Sequence, residues 1–199
     1  MKNKLWMIFL MGSLIIPMTC LAAVNMKPQT AAEWRDYLRY RRDQTLDELY
    51  QLKPQARSEI KKAKGYATFT SLNVNLIFAS VTGGRGIVHE NGFMGKDTFM
   101  RMAQGGLGLG FGVKDFRAVF IFDNKEVMEK FINSGWSFGG EADAAFKGGD
   151  TGAATSGAIA IAPGLRVYQL TQSGLALQAT VHGTKYWRDA FVNGDDDAN

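Results

Sequence analysis

The spacing of apolar residues along the chain changes once, from a helical repeat to a repeat of two. Before residue 65, Trp34, Tyr37, Leu38, Leu46, Leu49 and Tyr50 recur three and four positions apart, as on one buried helix face. Thr30-Ala-Ala-Glu33 has the spacing of a capping box and predicts a helix start near Ala31. Pro54 stands where a first-turn proline belongs and Gly65 where a terminating glycine belongs, so 54–64 reads as a second helix.

From Tyr66 the repeat is that of half-buried strands. Residues 66–72 and 74–81 read as strands, Gly83-Gly-Arg-Gly86 as a turn, and Asn91-Gly92 as the turn of a hairpin, because both residues tolerate positive φ. In 105–113 (GGLGLGFGV), Leu107, Leu109, Phe111 and Val113 alternate with Gly106, Gly108, Gly110 and Gly112. Strand glycines cost roughly 0.5–1 kcal/mol each relative to alanine, so a close approach to that face or a sharp bend has to require them. The pattern predicts a long strand over 100–113, closely covered on its bare face and paired with 117–122. Asn124 is placed to cap a short helix ending at Gly135, with Val127, Met128, Phe131 and Ile132 inward. Residues 147–157 read as a loop, and 158–162, 166–171 and 175–186 as strands joined by turns at Pro163-Gly164 and Ser173-Gly174. The predicted fold is α+β: a strongly curved antiparallel sheet or partly open β-barrel with two N-terminal helices and one inserted helix.

Composition sharpens this mainly at the N-terminus. Met1-Lys-Asn-Lys4 is followed by an apolar run of about 14 residues, short of the roughly 20 that span a bilayer. With Cys20-Leu-Ala22 as the cleavage site, 1–22 reads as a signal peptide that leaves a periplasmic protein beginning near Ala23. The single cysteine, Cys20, has lipidation as its alternative, but Pro17 and Thr19 depart from the usual lipoprotein signal. The expected organisation is an N-terminal helix in 23–53, a domain over 54–193 and an acidic polar tail over 194–199.

The chain has 23 Lys and Arg against 19 Asp and Glu; without Lys2 and Lys4 the excess halves, too mild for a nucleic-acid binder. The positive charge is local, with nine basic against six acidic residues in 33–64. Two readings stand: helices whose charges are simply solvated, or a basic face that meets anionic headgroups. Arg35, Arg39, Arg42, Arg57, Lys61, Lys62 and Lys64, with Arg85 on the glycine turn, are the candidate lipid-binding residues.

Catalytic signals are thin. The glycine stretch lacks the G-x-G-x-x-G spacing and the following helix of a dinucleotide loop. His89 and His182 make no zinc motif, and no metal or cofactor is expected. Gly135-Trp-Ser137-Phe-Gly139 matches G-x-S-x-G, with Asp143 or Asp150 and then His182 in hydrolase order. That motif works on a strand–serine–helix turn, and here the predicted order is reversed.

Several segments together resemble the SYLF-domain family: Val167-Tyr-Gln-Leu-Thr171, Gly174-Leu-Ala-Leu-Gln-Ala-Thr-Val181 and Gly183-Thr-Lys-Tyr-Trp187. Ala63-Lys-Gly65-Tyr-Ala67 is similar to the family's entry into its first strand, 83–88 to its glycine turn, 105–113 to its central strand and 131–145 to its bacterial branch. The resemblance covers roughly 54–193. It implies a non-catalytic phospholipid-binding module, with phosphoinositides the usual eukaryotic ligands. An exported protein would not meet actin, so the actin partners of some members are not expected. The remaining alternatives are a structural envelope protein and a hydrolase using Ser137.

Overall fold

The structure, a computed structural model, describes residues 27–72, 81–105, 117–138, 158–171, 174–175 and 184–195. In chain order these form α1 (Ala31–Leu52), α2 (Ala56–Lys62), β1 (Gly65–Leu72), β2 (Val81–Glu90), β3 (Asp97–Gly105), β4 (Arg117–Phe122) and α3 (Lys125–Asn133). There follow β5 (Trp136–Phe138), β6 (Ile159–Ala162), β7 (Leu165–Thr171), β8 (Gly174–Leu175), β9 (Thr184–Arg188) and a terminal helix, α4 (Ala190–Asn193). The antiparallel sheet runs β5-β9-β3-β2-β1-β4-β7-β6, with β8 also on β7.

The sheet is curled into a half-barrel, and the fold is α+β as the pattern predicts. One pair of rings measures the curl. Phe120 on β4 and Tyr186 on β9 lie four strands apart in the sheet, about 19 Å if it were flat, yet their ring centroids are 5.3 Å apart. The alternating residues Phe69, Val88, Met100, Met102, Phe120, Phe122 and Val167 point into the concave side, where α3 inserts Met128 and Phe131. Phe131 lies within 5.3–6.3 Å of five other aromatic rings, from Phe122 to Trp136. The opposite face of the same strands (Tyr66, Val119, Ile121, Tyr168, Leu170) is covered by Leu46, Leu49, Ala56 and Ile60 of α1 and α2. Ile87 and Phe99 meet Leu38 of α1 and Val192 of α4.

Local signals held at several helix ends. Thr30 and Glu33 form the capping box of α1. Asn124 caps α3 through the amides of Glu126 and Val127, and Gly135 follows the helix at φ 70°.

Several expectations are corrected. Helix α2 is shorter than 54–64: Pro54 lies in the preceding turn, and the C-cap is Ala63. Gly65 is instead the first residue of β1, where a Cβ would collide with Met128 Sδ and the His89 carbonyl. Gly83-Gly-Arg-Gly86 is strand, not turn. A Cβ at Gly84 would meet Met102 and the Thr70 carbonyl, and one at Gly86 would meet Phe69, so these glycines let the tightly curled sheet close on its aromatic core. Strand β4 pairs with β1 and β7, and β3 with β2 and β9, so the expected pairing of 117–122 with the glycine strand is not formed by the described part of β3. Over Arg117–Phe122 both edges of β4 are taken, one by β1 and the other by β7. Residues 73–80, 106–116, 139–157, 172–173 and 176–183, the leader and the tail beyond Asp195 lie outside the described residues, and so do the readings made on them, including the loop over 147–157, Asp143, Asp150 and the turn at Ser173.

Candidate functional site

The predicted basic residues divide into two groups. On α1 the guanidiniums reach acceptors on other elements, although Arg39 stays exposed and Arg42 also bonds Asp43 beside it. Arg35 Nε donates to the Val192 carbonyl at 2.9 Å, holding α4 against α1. Arg39 Nε and Arg42 Nη1 reach the two oxygens of Asp97 at 3.2 and 3.5 Å. Asp97, at the start of β3, also lies 2.8 Å from His89 Nδ1 across the β2–β3 pair. Burial works to raise the Asp97 carboxyl, but hydrogen bonds from His89 and Arg39 and the charge of Arg42 outweigh it, and its pKa lies below the ordinary value.

Arg85 projects from β2 onto the same face. Its Nε is 2.8 Å from Asp189 Oδ2, and its guanidinium lies 3.9 Å over the Trp34 ring. Burial lowers its pKa and Asp189 offsets part of the effect; an arginine stays charged regardless. Asp189 is only 1% exposed and also caps α4 through the Val192 amide. Arg41, Arg42 and Arg85, with Thr45, Thr68 and Thr70, line a space of about 10 Å³ between α1 and the sheet. That volume takes about one water molecule and no phosphate. Four of the eight candidates, Arg35, Arg39, Arg42 and Arg85, thus hold α1, α4 and the sheet together.

The second group stands in water. Arg57, Lys61, Lys62 and Lys64, on α2 and its junction with β1, are all exposed. Arg57 stacks 4.2 Å over the Tyr50 ring. Among the described residues, none of the three lysines has a carboxylate partner. The only acid of α2, Glu59, is drawn toward the sheet: Arg166 Nη1 donates to it at 2.7 Å and the Tyr168 hydroxyl at 3.2 Å. Arg166 is itself held by Asp123 through two bonds of 2.9 Å, which, with Glu59, raise its pKa despite burial. The lysines are therefore left uncompensated.

A neighbour that sequence reasoning missed adjoins this patch. The β2–β3 hairpin does not turn at Asn91-Gly92. Its turn is Gly92–Gly95, closed by the Gly95 amide on the Gly92 carbonyl at 3.3 Å, with Phe93 and Met94 in the middle. Asn91 serves α2 instead: its side-chain amide donates to the Ile60 and Ala63 carbonyls at 2.6 and 3.0 Å, satisfying groups that a helix end leaves open. Its backbone amide donates to the Lys64 carbonyl at 2.9 Å. No local signal in Asn91-Gly92 distinguishes this from a tight turn.

Ser137 lies on β5 directly after α3, the reverse of a strand–serine–helix elbow, and its backbone pairs with Lys185 of β9. His182, its would-be base, is outside the described residues. His89 is a strand residue engaged with Asp97 and packed 5.2 Å from the Tyr66 ring. Among the described residues no helix is long and apolar enough to cross a membrane.

No family model matches the chain. Among curated proteins it is similar to Beta cell expansion factor A of Aeromonas veronii, at 31% identity over 166 residues. That alignment covers 82% of this chain and 60% of the relative, so the chain spans less than two thirds of the relative's length.

Proposed function

We propose that the protein is a non-catalytic phospholipid-binding module of the bacterial envelope, exported to the periplasm, whose basic face engages anionic headgroups. The observation that carries this reading is the exposed set Arg57, Lys61, Lys62 and Lys64, whose one local acid is bound elsewhere by Arg166. The resemblance to the SYLF-domain family points the same way. Within the eight candidates the reading narrows to these four, since Arg35, Arg39, Arg42 and Arg85 each bind an acceptor of the fold, Arg39 while still exposed.

The concave side of the sheet favours a surface mode over capture of an acyl chain. Among the described residues, Phe69, Phe120, Phe122, Phe131 and Tyr186 pack together there, each at most 1% exposed. Each lysine near an anionic membrane contributes on the order of 1 kcal/mol. Replacing Lys61, Lys62 and Lys64 together by Gln should therefore weaken co-sedimentation with phosphatidylglycerol-containing vesicles by about a hundredfold, and added salt should reproduce the loss. Wild-type protein that ignores such vesicles at low salt would leave an envelope protein without a lipid ligand.

A further inference from the structure

The two most exposed large apolar side chains among the described residues are neighbours. Phe93 is 106% exposed and Met94 88%, against 59% for Tyr40, the next. A side chain this exposed contributes nothing to the core, and paired apolar residues on a loop tip are a solubility liability unless something covers them.

The hairpin that carries them is held firmly. The Glu90 amide bonds the Lys96 carbonyl at 3.0 Å below the tip, and Asn91 fastens the hairpin to the end of α2 and its junction with β1 by three hydrogen bonds. Gly95 sits where a Cβ would press on the His89 ring, so the returning chain lies close against β2. Asn91, two residues before Phe93, thereby ties the base of the tip to the carbonyl groups of Ile60, Ala63 and Lys64, in the segment that carries Lys61, Lys62 and Lys64, and exposed Lys96 follows the tip in the chain.

The carboxylates around it are neutralised by other cations. Glu90 pairs with Lys125 at 3.0 Å, Asp97 with Arg39 and Arg42, Glu59 with Arg166, and Asp195 with Arg188, although Asp195 also feels the charge of Lys96. What remains is an apolar tip on a hairpin fastened to a segment whose three lysines, Lys61, Lys62 and Lys64, have no carboxylate partner among the described residues. That combination complements an anionic lipid bilayer, which offers apolar chains beneath a layer of negative charge.

We propose that Phe93 and Met94 form a wedge that enters the bilayer while Lys61, Lys62, Lys64 and Lys96 hold headgroups around it. This rests on the phospholipid reading and specifies the orientation in which the protein docks, with the α2 end of the half-barrel toward the membrane.

The test compares wild type, Phe93→Ser/Met94→Ser, and Lys61→Gln/Lys62→Gln/Lys64→Gln on vesicles of phosphatidylcholine with and without phosphatidylglycerol, with thermal unfolding as a check on folding. The wedge requires the Ser variant to unfold like wild type yet bind anionic vesicles about tenfold more weakly. Its remaining binding should vanish in high salt, whereas part of the wild-type binding should survive. If the Ser variant binds like wild type while the lysine variant does not, headgroup binding stands and the wedge is overturned. If wild type binds no vesicle, both readings fall together. Light scattering covers the rival occupant: a wild-type dimer that the Ser variant converts to monomer would assign the tip to a second copy of the chain and overturn the wedge.

Discussion

Helix α1 and the α2–β1 junction look alike as sequence. Arg35, Arg39, Arg41 and Arg42 occupy one, Arg57, Lys61, Lys62 and Lys64 the other. Folded, they have opposite roles. The α1 guanidiniums bind acceptors on distant parts of the chain: the Val192 carbonyl, Asp97, and for Arg41 the Thr70 hydroxyl at 3.2 Å. The α2 ammonium groups meet no such acceptor, because Arg166 has taken Glu59 from them. The difference follows side-chain chemistry as well as position. A guanidinium can bridge a packed boundary with a rigid fork of donors, while a lysine is a hydrated point charge that stays in solvent unless a carboxylate is near. Basic residues close in sequence therefore need not form one electrostatic surface. On the outer face of this sheet, acids supplied by β3 and by the residue before α4 decide which cations remain available.

The comparison can be broken most forcefully at Asp189. Asp189→Ala would leave Arg85 without its ion-pair partner in a nearly water-free site and uncap α4. It should cost about 3–5 kcal/mol in chemical denaturation while leaving vesicle binding per folded molecule unchanged. A loss of vesicle binding at full stability would put the Arg85 cluster in the lipid site after all.

Asp97→Asn tests the same division one step weaker. It leaves Arg39, Arg42 and His89 facing a neutral group and should cost about 2 kcal/mol. It also carries a pH signature. The folded Asp97 pKa is depressed, so its contribution is fully present above the unfolded value of about 3.9 and is lost as pH falls through the lower folded value. Denaturation midpoints followed from about pH 5 to about pH 2 should fall more steeply in wild type than in the Asn variant. Coincident profiles would mean that Asp97 is not what retains the α1 arginines.

The smallest effect sharpens the other side. Arg57→Gln should cost only about 0.5–1 kcal/mol through its lost stacking on Tyr50, and should weaken anionic vesicle binding by several-fold, the share of one charge. If stability falls but binding does not, Arg57 belongs with the α1 group.

The fold was largely legible where chemistry is local. The capping box at Thr30 and Glu33, the Asn124 cap, the terminator at Gly135 and the short apolar runs of β4 and β7 each act through residues a few positions apart, so the chain states them directly. Local reading failed where a distant group set the conformation. Gly65, Gly84 and Gly86 look like turn residues, yet they are strand positions emptied for Met128, Met102 and Phe69. Asn91 looks like a turn residue and is a cap for a helix 28 residues earlier. Half of the basic site residues look solvated and are pinned by Asp97, Asp189 and a carbonyl of α4. By itself the sequence determined which segments could be helix or strand and which faces were apolar, because those properties follow from spacing and backbone preference. Only the tertiary structure decided which charges are free, because an ion pair depends on a separation of a few ångströms across the curled sheet, and no spacing along the chain encodes that distance.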